Sequence, residues 1–298
     1  MRYISIFILL SFLSAGCNED SFSKVVEFDI DEEDQELVVL AFIKSDSPEP
    51  VVVVSRTTSV TAPDRFPYIS DAMVQLETPD LGILVGQFKE SEDAVEPDIQ
   101  GTGFYVFPAY EFLPNEEYVL TVSHPEFDDV SASVTTQSIP KMQGNSIRID
   151  DTFEFHFMEF YDVVIEDNPD EENYYKFDLF LTTFENGQDT FTYNSSIWFD
   201  ENELIDGDIN LLSDVNFINN RKEIVLIGDN FFGENTEVIK REIKITSYGS
   251  ELASYLQSLN LAYTAEENPF VEPAILYTNI ENGLGIFSVG VSSSIVFE

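Results

Sequence analysis

The order of apolar and polar positions along this chain predicts strands nearly throughout. From Val25 onward the pattern is extended. Glu36–Ile43 and Pro50–Ser55 are apolar, β-branched runs bounded by charge, serine and proline, with a turn composition over Lys44–Glu49. In Asp71–Glu77, Ala72, Val74 and Leu76 alternate with polar residues and set one half-buried face. Gly103–Phe107, Glu117–Val122 and Val130–Thr136 continue the series, and Leu113–Tyr118 reads as a turn feeding a strand. About seven short strands in roughly 110 residues, without a helical period, predict a β-sandwich.

Ser138-Ile139-Pro140 has the composition of a joint, and Lys141–Asn145 continues it with polar residues and a glycine. Beyond it Phe153, Phe155 and Phe157 alternate strictly, which predicts a strand over Thr152–Phe157 with His156 on its outer face. Tyr161–Ile165 and Tyr174–Thr183 read as strands on either side of the acidic loop Glu166–Glu172. Glu223–Ile227 and Val238–Ile245 read as two more. One helix is predicted, over about 250–263, with Ser250 as its N-cap. Leu252, Tyr255, Leu256 and Leu259 form an apolar stripe at i, i+3, i+4 and i+7, to pack on the second sheet. Ala274–Tyr277, Gly285–Val289 and Ser292–Phe297 read as final strands, and Asn282-Gly283 as a hairpin turn. At Gly285 the pattern allows a close backbone approach. The fold class expected is therefore all-β. Residues 25–139 would form an N-terminal sandwich, and 140–298 a β-rich domain carrying the helix. In Ala72–Val74, Gly103–Tyr105, Leu113–Tyr118 and Tyr118–Val122 the sandwich resembles immunoglobulin-like or transthyretin-like modules.

The N-terminus follows a different pattern. Arg2, the apolar run Ile4–Leu13 and the small residues Ser14, Ala15 and Gly16 have the layout of a secretory signal over 1–16. The run is too short to span a bilayer, which takes about 20 residues. It ends at Cys17, the single cysteine of the chain. A cysteine behind Ser-Ala-Gly resembles a bacterial lipoprotein signal, which implies acylation of Cys17, cleavage before it and a tether over 17–24. Asn18-Glu19-Asp20 resembles the acidic signal that exports such lipoproteins to the outer face of the outer membrane in the Bacteroidota.

Charge narrows the partners. The chain has 56 acidic residues against 14 basic ones, a formal net charge of −42. Such a surface repels nucleic acid and anionic headgroups, so neither is an expected partner. The acidity fits a soluble exterior, or binding of a cation or cationic ligand.

Motifs for chemistry are sparse. The two histidines, His124 and His156, fall in different predicted domains, and no nucleophile elbow, phosphate loop, dinucleotide fingerprint or zinc spacing occurs. Asp206, Asp208 and Asn210 place oxygen side chains at alternate positions, as at the start of a calcium loop. Leu211 and Phe217 stand where an EF-hand needs glycine and glutamate, so a Ca²⁺ site there would be of another kind. Arg56 closes a strand and is expected to pair with a carboxylate. No catalytic constellation and no cofactor motif is recognisable.

Several stretches together resemble one family. They are Cys17, Leu37–Val39, Ser55-Arg56-Thr57, Ala72–Val74, Asn173–Tyr175, Ile227–Gly233, Tyr255-Leu256 and, most specifically, Thr278–Phe287. In these the chain is similar to the Bacteroidota outer-membrane lipoproteins catalogued as domain of unknown function 4249 (DUF4249). The resemblance implies a lipid-anchored, surface-exposed lipoprotein, often encoded beside a TonB-dependent transporter. It carries over no catalytic residue. The expected role is a binding or accessory module for such a transporter. The alternatives are a surface hydrolase using paired carboxylates, and a structural or adhesive surface protein.

Overall fold

Alternation along the first strand decides its place. Leu37, Val39, Ala41 and Ile43 are buried on one face of Leu37–Lys44, and Val38, Leu40 and Phe42 point the other way. The computed structural model describes residues 35–58, 67–90, 103–153, 156–185, 189–199, 211–231, 236–267 and 274–297. The strands are β1 Leu37–Lys44, β2 Val51–Arg56, β3 Met73–Thr78, β4 Gly82–Val85, β5 Gln87–Glu90, β6 Gly103–Val106, β7 Glu117–Ser123, β8 Val130–Thr135 and β9 Lys141–Phe153. They continue with β10 His156–Glu166, β11 Tyr174–Glu185, β12 Asp189–Ser195, β13 Ile197–Trp198, β14 Leu212–Ser213, β15 Arg221–Phe231 and β16 Thr236–Tyr248. A helix, α1 Ser250–Glu267, precedes the last strand, β17 Leu284–Phe297.

The fold is all-β and sandwich-like. Among the described residues one large sheet runs β12-β11-β16-β17-β1-β2-β6-β5, with β14 beside β11. Two four-stranded sheets, β4-β3-β7-β8 and β13-β15-β10-β9, complete the layers. β17 joins the halves of the large sheet. Its first half pairs in parallel with β1, from Val38 opposite Leu284 to Lys44 opposite Gly290. Its second half pairs antiparallel with β16, from Ser247 opposite Val291 to Arg241 opposite Phe297.

Two cores follow from this. The first gathers β1, β2, β3, β7 and β8 with Phe287 and Val289 of β17. The second gathers Tyr161 and Val163 of β10, Phe177 and Leu179 of β11, Ile243 and Ile245 of β16, and Phe297 of β17. Positions 287, 289 and 297 share one parity, so both small sheets lie on the same face of the large one. Residues up to Val134 build the first core and residues from Met142 the second, except that Ile280, Phe287 and Val289 join the first. Gln35–Glu298 form one compact unit.

The first core carries a tyrosine corner, a device of immunoglobulin-like sandwiches. Asn115 takes φ 59° in the turn before β7. The Tyr118 ring is fully buried, 5.0 Å from that of Phe112, and its hydroxyl accepts the Leu113 N–H at 2.7 Å.

Several sequence expectations need correction. Lys141–Asn145 is not a linker: β9 begins at Lys141, and the joint is confined to the residues before it. The Phe153–Phe157 alternation does not lie on one strand. Phe153 ends β9 and pairs with His156, which opens β10, while Phe155 lies outside the described residues. Strands β4, β5, β13 and β14, of two to four residues, and the seven-residue β12 are not predicted by the sequence pattern. Ala274–Tyr277 is not a strand, and Ile275 is 92 % exposed. Gly285–Val289 and Ser292–Phe297 are one strand rather than two.

The Asn282-Gly283 turn does not make a hairpin, because the strand it enters pairs in parallel with β1. Only Asn282 takes a positive φ, of 61°. Glu281 instead exchanges backbone hydrogen bonds with Ser131 of β8. Two residues earlier, Asn279 stands in for a neighbouring strand. Its Nδ2 donates to Phe287 O at 2.7 Å, and its Oδ1 accepts Phe287 N–H at 2.9 Å. Asn279→Ala removes both bonds from a buried strand and is expected to lower stability by about 2 kcal/mol. Urea unfolding measures it; a loss below about 0.5 kcal/mol would show that this mimicry contributes little.

The helix differs at both ends from its prediction. It runs on to Glu267, and Ser250 is its first residue rather than its cap. The carboxylate of Glu251 accepts the N–H groups of Gly249 and of Glu251 itself, and the Ser288 hydroxyl at 2.9 Å. An acid in the first turn suits the helix dipole. Burial nonetheless raises the Glu251 carboxyl above its ordinary pKa. Among the described residues no helix is long and apolar enough to cross a membrane.

Candidate functional site

The inward face of the large sheet is filled by the two cores, so chemistry on that sheet must sit on the outer face. On β11 the buried apolar residues are Tyr175, Phe177, Leu179 and Leu181, and alternation places Lys176, Asp178 and Phe180 on the other face, where Asp178 is itself buried. Lys176 lies opposite Thr246 of β16, and Asp178 opposite Lys244. In a chain with 14 basic residues, Lys44, Lys176, Lys240 and Lys244 all belong to this face.

Three of these four lysines have carboxylate partners. Lys44 Nζ lies 2.6 Å from Asp178 Oδ2, and Lys240 Nζ 2.6 Å from Glu242 Oε2. Lys244 pairs with Asp46, its Nζ 4.7 Å from the centre of the Phe180 ring. Lys176 has no ion pair or hydrogen bond among the described residues.

The helix covers one end of this face. Leu252 and Ala253 are buried against Tyr248 of β16 and Leu211, with Leu256 packed beside them. Tyr255 is 5.8 Å from Phe42 of β1, ring centre to ring centre. Between helix and sheet remains a cavity of about 200 Å³, lined by Phe42, Lys44, Lys176, Leu211, Tyr248, Leu252 and Leu256. Its walls are largely apolar, and the polar residues among its lining are two lysines and one tyrosine.

The phenol is the distinctive member. Tyr248 is 3 % exposed, and its hydroxyl makes no hydrogen bond among the described residues. A buried polar group without a partner costs about 1–3 kcal/mol, so such groups are rare. Gly290 makes room for the ring: a Cβ there would fall 2.4 Å from Tyr248 Cε1. Burial, followed by the charges of Asp178 and Asp46, pushes the phenol well above its ordinary pKa. The group is therefore an O–H donor at any working pH.

Other groups of chemical interest are already engaged. His124 Nε2 is 3.1 Å from Asp71 Oδ1, and its Nδ1 accepts Glu126 N–H at 3.2 Å. With both ring nitrogens committed, neither is left to take a proton from a nucleophile. Arg56, expected to meet a carboxylate, donates to Gln35 Oε1 at 3.3 Å. In the acidic loop Asp167 Oδ1 accepts from Asn173 Nδ2 and the Tyr175 hydroxyl, and Asp214 Oδ2 accepts Asn173 N–H at 2.7 Å. Glu171 Oε2 takes the Ser138 N–H and hydroxyl at 2.9 and 2.8 Å. Burial, the largest cause in each case, raises the pKa of Asp167 and of Asp214. These carboxylates tie the joint at Ser138 to the strand ends around it.

Cys17, Asp206, Asp208 and Asn210 lie outside the described residues. Among the described residues no group of three or more histidine, cysteine or acidic side chains is arranged to hold a metal ion. Sequence reading found Leu252 and Leu256 as part of the helical stripe but missed Lys44, Lys176 and Tyr248. Alternation alone turns Lys176 outward; nothing local says that a helix 75 residues later would roof it.

A family model described as Domain of unknown function (DUF4249) matches residues 23–295. No curated protein matches the chain.

Proposed function

Because the chain belongs to the DUF4249 family, we propose that it is a lipid-anchored binding module of the outer-membrane surface, an accessory to a TonB-dependent transporter. The observation that carries the binding role is the recess under α1, where a buried phenol and a lysine, each without a side-chain partner among the described residues, meet apolar walls. Ligand sites have this character, with mostly apolar lining and few convergent polar groups. The anchoring role rests on Cys17 and the residues around it. Tethering holds the module in two dimensions and raises its effective concentration at a partner barrel. A surface hydrolase has less support, since His124 and the carboxylates of the acidic loop are committed to other bonds.

Two outcomes test the reading. Cys17→Ser is expected to move the protein from the membrane fraction to the soluble fraction, as followed by fractionation and immunoblot. The native protein, purified gently from detergent-solubilised outer membrane, is expected to bring a transporter barrel with it. Unchanged membrane retention of Cys17→Ser would remove the anchor, and recovery without any barrel would remove the accessory role.

A further inference from the structure

We propose that the recess between α1 and the outer face of the large sheet binds an organic monoanion, a carboxylate attached to a small apolar group. The inference rests on the reading of the chain as a binding module and names the class of its ligand.

Charge selects the ligand's polar end. The chain has 56 acidic residues against 14 basic ones, so its overall charge repels an anion. At the recess the balance reverses. Lys44 and Lys176 both line it, and among the described residues only Lys44 is matched by a carboxylate, Asp178. One uncompensated ammonium calls for one negative charge. A phosphate monoester would bring close to two, and a cation would meet Lys176 directly.

The Tyr248 hydroxyl adds direction. It is a buried donor without an acceptor among the described residues, and Tyr248 and Lys176 line the same cavity. A carboxylate offers two charged oxygens to these two donors, and hydrogen bonds to a charged acceptor are stronger than those to an alcohol's single neutral oxygen. Lys176 also borders a second, polar recess, lined by Asp178, Asn194 and Ser196.

Shape selects the other end. The cavity holds about 200 Å³, and Phe42, Leu252 and Leu256 supply its wall. An apolar cavity of about 150 Å³ accommodates a benzene ring. An aryl ring or a short alkyl chain therefore fits, and a long acyl chain does not.

The test uses the lipoprotein purified in nanodiscs of zwitterionic lipid, with empty discs as the blank. Four probes share one skeleton: 3-phenylpropionate, 3-phenylpropanol, 3-phenylpropylamine and 3-phenylpropyl phosphate. Calorimetry and ligand-observed NMR are expected to show the carboxylate binding at least about tenfold more tightly than each of the others. Lys176→Met is expected to weaken it by roughly tenfold and Tyr248→Phe by about fivefold, since each removes one donor to a charged oxygen. Circular dichroism checks that both variants keep the native fold.

Equal binding of the alcohol, tighter binding of the phosphate or the amine, or a carboxylate affinity unmoved by Lys176→Met overturns the proposal. Failure of all four probes overturns it too, while copurification of a barrel would still stand as evidence for the accessory role. Carboxylate binding as described, with no barrel recovered, removes the accessory role and leaves the ligand class in place.

Discussion

Gly285→Ala is expected to destabilise the chain by about 4 kcal/mol or more, enough to prevent folding of a marginally stable domain at growth temperature. Two costs combine at this residue. Its φ is +114°, a region that residues with a Cβ rarely enter. An added Cβ would also lie 1.9 Å from the carbonyl oxygen of Val39, against which β17 runs in parallel. That neighbour is backbone at the centre of a buried sheet, so it cannot swing aside as a side-chain tip would. Relief requires β17 to move off β1, and Phe287 and Val289 would leave the first core with it.

Gly82→Ala provides the comparison. Gly82 takes φ +72°, but a Cβ there would meet nothing within 4 Å. Backbone strain alone then applies, about 1–2 kcal/mol. Urea unfolding of both variants separates the two contributions. Equal shifts in midpoint would mean that β17 and β1 do not approach as described.

The second large effect lies in the other core. Glu159→Met is expected to cost about 3–5 kcal/mol, the range for removing one partner of a buried ion pair. Glu159 is 1 % exposed, and each of its oxygens takes two donors. Oε1 lies 2.9 Å from Arg241 Nε and 2.8 Å from an Arg241 terminal nitrogen. Oε2 accepts the Tyr161 hydroxyl at 2.6 Å and Asn230 Nδ2 at 3.1 Å. Substitution strands a guanidinium, a phenol and an amide in one buried place.

The pair does not earn its place by net stability alone, because desolvation offsets much of its attraction. The double variant Glu159→Met with Arg241→Met is therefore expected to be more stable than Glu159→Met by itself. A double-mutant cycle in urea is expected to return a coupling of about 2 kcal/mol or more, within the usual range for one hydrogen-bonded network. Simple additivity would contradict the geometry.

These two sites were unequally visible in the sequence. Gly285 stands inside the distinctive Thr278–Phe287 run, and a glycine in a strand pattern signals a close backbone approach. That expectation holds, and Val39 is the backbone it meets. The hairpin expected from Asn282-Gly283 fails because the same dipeptide also serves where a chain turns onto a distant strand. Glu159 gave no signal at all. It is one acid among 56, and its partners Asn230 and Arg241 are 71 and 82 residues away.

Local pattern settles which residues of a strand share a face, because side chains alternate with a period of two whatever strand lies alongside. The all-β class, the stripe of the helix, the signal-like N-terminus ending at Cys17 and the strongly acidic character are all written in this way, in neighbours along the chain. The identity of the neighbouring strand is not, since the period is the same for every partner. Tertiary structure alone decided that β17 would join β1 to β16 and so fuse two half-sheets into one. It alone decided that α1 would roof Lys176 and Tyr248. Those contacts depend on shape and on apolar area buried between segments far apart, which only the closed sheet brings together.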